Sequence, residues 1–223
     1  MKSGIGISTQ TFTVTLTVQP PCVLSTPAPA TLALTLAQGQ ATSSALAVAL
    51  SEHGTCAHPV TWQASPQSSW LTLTASSGAD SGTGSSLGVN ASAANLPPGS
   101  YSGSISITAT DSTGAMAGSA QAVTVSLTVT GFSISGTVLA CPVANCTTPL
   151  PLAGATVTIT TGSTTVATTT AGASGTYHFS NIPFGSYTIT ASGIDGSNTH
   201  YTGNSPLTLS GNASNVTINV LPG

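Results

Sequence analysis

Charge is the scarcest commodity in this chain of 223 residues. It has one lysine, no arginine and four acidic residues, Glu52, Asp80, Asp111 and Asp195. Only 2% of residues are charged, against about a quarter in ordinary soluble proteins. Neutralising nucleic-acid phosphates needs clustered cations, so nucleic acid is excluded as a partner. A polybasic membrane anchor fails for the same reason. No run of about eighteen apolar residues occurs, which excludes a membrane-spanning helix as the sequence reads. The opening "MKSGIGISTQ" lacks the apolar stretch of a secretory signal. Aromatic residues make up 4%, so any core must be built from smaller side chains. A helical period of useful length is absent as well.

Hydroxyls fill the gap. Serine and threonine make up roughly a third of the chain, and they alternate with apolar residues, the pattern of half-buried strands. A surface wetted by hydroxyls instead of ions argues against the cytosol, where net charge maintains colloidal stability. It points to an extracellular or cell-surface location. Sequons occur at Asn90, Asn145, Asn212 and Asn215 and are candidate glycosylation sites. Threonine runs such as "TTVATTT" (164–170) are candidates for O-linked sugars or plain strand threonines.

Four cysteines, Cys22, Cys56, Cys141 and Cys146, allow three pairings. The hexapeptide "CPVANC" suggests a local Cys141–Cys146 bridge, which leaves Cys22 with Cys56. A metal site is the competing reading. It lacks a CxxC, and His53, His58, His178 and His200 are scattered. Disulfides are expected, with no metal and no cofactor.

No catalytic constellation is found. Asp80, Asp111 and Asp195 lie in turn sequences, "GADSG", "TDSTG" and "IDGSN", where an aspartate caps its own backbone. No G-x-S-x-G elbow precedes a helix, and an oxidised Cys56 beside His58 is no nucleophile. Trp62, Trp70 and Tyr101 are the candidates for stacking on sugar rings; filling an aromatic-poor core is the alternative role. Tyr177, Phe179, Phe184 and Tyr187 are expected in or near a core.

Strand-like segments recur with Gly, Pro, Ser and Asp turns between them. Trp70-Leu71, Leu87-x-Val89, Gly99-x-Tyr101-x-Gly103-x-Ile105-x-Ile107 and Val125-x-Leu127-x-Val129 stand in chain order. With this set, residues 22–130 resemble the BACON-type immunoglobulin-like domain of bacterial secreted proteins. A second set follows: Ile134-x-Gly136-x-Val138, Pro151-Leu152-x-Gly154-Ala155-x-Val157, Gly175-x-Tyr177-x-Phe179 and Ile182-Pro183-x-Gly185-x-Tyr187. It resembles the carboxypeptidase-regulatory-like and Cna-B-like modules, which are small transthyretin-type sandwiches. The usual Thr-Asp before the glycine of their G-x-Y-x-F motif is replaced by "TAGAS". The internal lysine–asparagine bond of Cna-B-like modules is not expected, because the sole lysine, Lys2, lies outside this unit. The resemblances imply an all-β fold: two tandem antiparallel β-sandwiches (Ig-like) with an extra N-terminal strand. The expected divisions are 1–20, 21–130 and 131–223.

That extra strand poses the functional question. "QTFTVTLTVQ" (10–19) and "QAVTVSLTVT" (121–130) begin at residues 10 and 121, an offset of 111, and differ at four positions. Ile7, Phe12, Val14, Leu16 and Val18 form its apolar face. Residues 121–130 already close the first sandwich. The earlier copy is therefore expected to be the tail of a preceding repeat, or a half-buried strand donated to a neighbouring subunit. The expected role is a non-enzymatic structural subunit of an extracellular fibre or surface appendage, a homopolymer assembled by β-strand addition. A stalk segment of a larger adhesin and a carbohydrate-binding module with glycan partners are the alternatives.

Overall fold

The computed structural model describes residues 9–143 and 145–223. Every regular element among them is a strand. The first unit contains β1 (Val23–Leu24), β2 (Thr31–Ala37), β3 (Leu46–Leu50), β4 (Glu52–His53), β5 (Val60–Pro66) and β6 (Leu71–Leu73). It continues with β7 (Ser77–Asp80), β8 (Ser85–Ala91), β9 (Gly99–Asp111), β10 (Gly114–Ala115) and β11 (Gln121–Thr130). The second unit contains β12 (Phe132–Ala140), β13 (Leu150–Pro151), β14 (Thr156–Thr161) and β15 (Thr164–Thr170). It ends with β16 (Thr176–Ile182), β17 (Gly185–Ile194), β18 (His200–Leu209) and β19 (Ala213–Pro222).

In the first unit one sheet runs β2-β11-β9-β5-β7 and the other β3-β8-β6. Both contribute to one core: Val123, Val125 and Leu127 from one face meet Val48, Leu87 and Val89 from the other, all 0% exposed. Period-two alternation creates this arrangement, because successive side chains of a strand point to opposite faces. In β11 the pattern is strict, with Val123, Val125, Leu127 and Val129 buried and each threonine or serine between them exposed. The second unit is a sheet of order β13-β12-β19-β18-β17-β14-β15, with β16 on β12. Its halves join only at Tyr201↔Pro222 and Thr202↔Leu221. They fold over a separate core in which Ile134, Val138 and Ile218 face Val157, Ile159 and Ile189.

The expected antiparallel arrangement holds for most pairs. Two pairs depart from it, since β11 runs parallel to β2 and β12 parallel to β19. Composition and alternation are the same for either direction, so the sequence carried no signal of it.

Each unit is entered at one pole and left at the other. Cys22, His53, Asp111 and Ala117 lie at the entry pole of the first unit, while Ala37, Gly99 and Thr130 lie at its exit. In the second unit Phe132, Ile182, Gly185 and Leu209 lie near the joint, and Ala140, Leu150, Ile194 and Val220 lie at the far pole. Only Gly131 separates β11 from β12. Its N–H donates to Asn181 Oδ1 at 2.8 Å, and a Cβ there would come within 2.7 Å of Asn181 and Ile182 backbone atoms. From the other unit, Gln38 Oε1 accepts the Phe184 N–H at 2.8 Å. A one-residue link pinned on both sides leaves little rotational freedom.

A short motif occurs on each side of this joint. "NLPPGSY" leads into β9 and "NIPFGSY" into β17. In both, the tyrosine hydroxyl donates to the proline carbonyl four residues earlier, Tyr101 to Pro97 at 2.7 Å and Tyr187 to Pro183 at 2.9 Å.

Leu127→Ala should cost about 2–5 kcal/mol, the range for emptying a packed leucine site. Leu16→Ala, at the matching position of the earlier copy, should change monomer stability by less than about 0.5 kcal/mol, as exposed substitutions do. Urea unfolding of both variants checks the contrast.

Candidate functional site: the amino-terminal segment and the two poles

Residues 9–19 belong to no β-ladder of this chain. The expected half-buried strand has no ladder partner among the described residues. Phe12 is 83% exposed, Val14 89%, Leu16 83% and Val18 81%. Their counterparts at the offset of 111 are Val123, Val125, Leu127 and Val129, exposed by 0, 0, 0 and 2%. One pattern thus takes opposite environments, and the difference lies in the neighbours: β11 lies between β9 and β2. Ile7, also assigned to this face, lies outside the described residues.

The segment is anchored where it meets the sandwich. Thr55 N–H donates to the Pro20 carbonyl at 3.1 Å, and the Cys22–Cys56 disulfide, with Cα atoms 4.7 Å apart, ties the next turn down. A cavity of about 580 Å³ lies there, lined by Pro20, Pro21, Cys56, Asp111 and Met116 among others. Proline cannot donate to a ladder, so Pro20-Pro21 ends any pairing of the segment. The second bridge is Cys141–Cys146. All four cysteines are therefore engaged, in the pairing the hexapeptide suggested.

The aromatic candidates are not brought together as a platform. Trp62 is buried at 5% exposure, with Gly78 as its cross-strand partner, so its ring offers no face to a sugar. Trp70 and Tyr101 are half-buried and packed against the first core. Trp70 covers Gly103, where a Cβ would lie 2.8 Å from its ring. Tyr177, Phe179 and Tyr187 are core residues, and burial pushes the Tyr177 hydroxyl up to about 12. Phe184 differs from expectation: it is 49% exposed. It stands between Pro183 and Gly185 at a turn, and with Phe132 and Leu209 it lines an inter-unit cleft of about 430 Å³.

The sequons differ in availability. Asn90 Nδ2 donates to the Ser43 carbonyl at 3.0 Å, which occupies the atom that would carry a glycan. Asn212 Oδ1 accepts from Ser133 N–H at 2.9 Å, leaving its Nδ2 free of that bond. Asn145 and Asn215 are exposed.

All four carboxylates lie at the poles. Asp111 Oδ1 accepts from Thr113 N–H at 2.8 Å, and Asp195 Oδ1 accepts from Ser197 and Thr199 N–H at 2.9 Å each. Asp80 Oδ1 accepts from the Gly82, Thr83 and Gly84 N–H groups at 2.8–3.1 Å. Its Oδ2 is buried without a donor. Sequence spacing did not show what lies beside it, which is Glu52, brought there by β4. Burial first, then the Asp80 charge, raises the Glu52 carboxyl above its ordinary value. Burial also works to raise Asp80, but the backbone donors and Glu52 outweigh it and hold Asp80 low. His58 Nδ1 is 3.8 Å from Glu52 Oε1. Among the described residues no group of three His, Cys, Asp or Glu is placed to hold a metal. No helix among them is long and apolar enough to cross a membrane.

Residues 133–220 match the family model of the carboxypeptidase regulatory-like domain. No curated protein matches the chain. Among solved structures, the Bacillus anthracis TIE protein is similar at 10% identity and a TM-score of 0.49, covering 93% of this chain and 42% of that one. This chain therefore spans less than half of that protein. BcpA, the major pilin subunit of Bacillus cereus, is similar at 10% identity and a TM-score of 0.37, covering 92% and 71%. A protein of unknown function from Porphyromonas gingivalis W83 is similar at 17% identity and a TM-score of 0.37, covering 85% and 100%. These likenesses carry no argument about function.

The carboxyl pair gives a pH prediction. Glu52, raised in the fold, favours folding while protonated, so its contribution is lost as pH rises through and above 4.5. Asp80, Asp111 and Asp195, lowered in the fold, lose theirs as pH falls below 3.8. Thermal melts between about pH 3 and 8 should show greatest stability in mild acid, and Glu52→Gln should flatten the decline on the alkaline side.

Proposed function

We propose that this chain is a non-enzymatic structural subunit of an extracellular fibre or surface appendage, and that residues 9–19 are a strand donated to another copy. One observation carries the reading: four alternating apolar side chains are exposed here, while the same pattern in β11 is core. Leaving such a face in water sacrifices about 1.5–3 kcal/mol per large side chain. An unpaired strand of this kind is also a template for pairing with another chain. β-augmentation satisfies both demands, with the backbone ladder supplying affinity and the alternating side chains supplying register.

Three further features support it. Segment and far pole lie at opposite ends of the tandem units, so each contact leaves the next one open. Such head-to-tail contacts propagate into filaments. The pinned joint at Gly131 suits a load-bearing rod. The two disulfides and the hydroxyl-rich surface fit an oxidising, extracellular setting. With this reading goes the assignment of residues 22–130 as a BACON-type sandwich, on the motif set from Trp70 to Val129.

The full chain should form linear multimers as its concentration is raised. Leu16→Asp should remain monomeric with unchanged melting behaviour, because Leu16 is 83% exposed. Sedimentation velocity and negative-stain electron microscopy read this directly. Full chain that stays monomeric, or Leu16→Asp that still elongates, rules out donation by this segment.

A further inference from the structure

Resting on the reading just given, we infer that the strand acceptor is the outer edge of β15 in the preceding copy, with the donated segment lying parallel to it. The free edges differ in how they are protected. Natural edge strands discourage pairing with charges, prolines or brevity. β6, β7 and β13 have three, four and two residues. β15 has seven, "TTVATTT", with no charge and no proline, and its outer backbone edge is unpaired among the described residues; β2, "TLALTLA", shares these traits but lies in the first unit, on the other side of the joint.

Reach and direction point to the same strand. Eleven extended residues span about 36 Å, the length of the ten-residue strands β17, β18 and β19. Residue 19 must end where the first unit of the donor begins, beyond the far pole of the acceptor's second unit. The segment therefore runs from joint to far pole, as β15 does: Thr164 pairs with Thr161 and Thr170 with Thr156, itself opposite Ser192. β16 runs the other way, antiparallel to β12. A strand in this direction is parallel to β15 and antiparallel to β16, the same relation β11 bears to β2 and β9. The segment cannot reach its own β15, because the first unit, with strands of ten to thirteen residues, lies between them.

Side-chain chemistry fits as well. β14 and β15 present an outer threonine ladder, with the Thr158 and Thr168 hydroxyls 3.4 Å apart. Placing Thr17 level with Thr170, the end of β15, puts Thr15 beside Thr168 and extends that ladder by one strand. Leu16 then lies beside Thr169 and Val14 beside Ala167, the half-buried face of an edge whose own side chains are small. Cross-strand threonine pairs and apolar cover both stabilise such an addition.

The natural cysteines are all bridged, so engineered ones report contacts cleanly. Full-length Thr15→Cys is mixed with Thr168→Cys, or with Thr35→Cys on the free edge of β2, and oxidised under assembly conditions. Thr35 and Thr168 are both exposed. Disulfide-linked dimers at Thr168, at least several-fold above those at Thr35, support the assignment. Equal or greater yield at Thr35 overturns it while leaving strand donation intact. No linkage at either position, with unmodified chain remaining monomeric, overturns the donation reading itself. As a second arm, Thr168→Lys should reduce elongation at least tenfold without lowering the melting temperature; unchanged elongation also overturns the assignment.

Discussion

The structure depends on how a strand of alternating apolar and hydroxyl residues is satisfied. Its backbone groups need a ladder and its apolar face needs a core, and a single neighbouring sheet supplies both. β11 obtains the two from β9 and β2 and thereby closes the first sandwich. Residues 9–19 carry the same face without those neighbours. Everything proposed about assembly follows from that asymmetry within one chain.

The hydroxyl surface makes the asymmetry consequential. Most soluble proteins guard their sheet edges with lysine or glutamate. Here the described charged groups sit at the poles: Glu52, Asp80 and Asp111 at the entry, and Asp195 at the far end. The flanks are ladders of threonine and serine, which neither repel a second copy nor require an ion to be desolvated when one docks. At the joint, the hydrogen bonds from Gly131 N–H to Asn181 Oδ1 and from Phe184 N–H to Gln38 Oε1 tie the link and the two units together.

Much of this was legible in the sequence because alternation determines which side chains face inward. "QAVTVSLTVT" and "TTVATTT" coincide with β11 and β15, and the motif from Ile134 to Tyr187 outlines the second unit. What escaped were features set by partners distant in sequence. Alternation alone leaves open which way Trp62 faces; its pairing with Gly78 shows why its ring is inside. Phe184 looked like core, but the turn between Pro183 and Gly185 directs it toward the joint. Glu52 and Asp80 are 28 residues apart by number, and only the packing of β4 against the turn after β7 joins them. The parallel pairing of β2 with β11 and of β12 with β19 left no mark on composition.

Hydrogen–deuterium exchange of the backbone amides in residues 11–18, followed as protein concentration rises, addresses the central claim most directly. In dilute monomer these amides should exchange at the rate of a free peptide. In the assembled state they should slow by about a hundredfold or more, as ladder amides do. Protection already present in the monomer, or free-peptide exchange persisting in assembled material, would contradict the account.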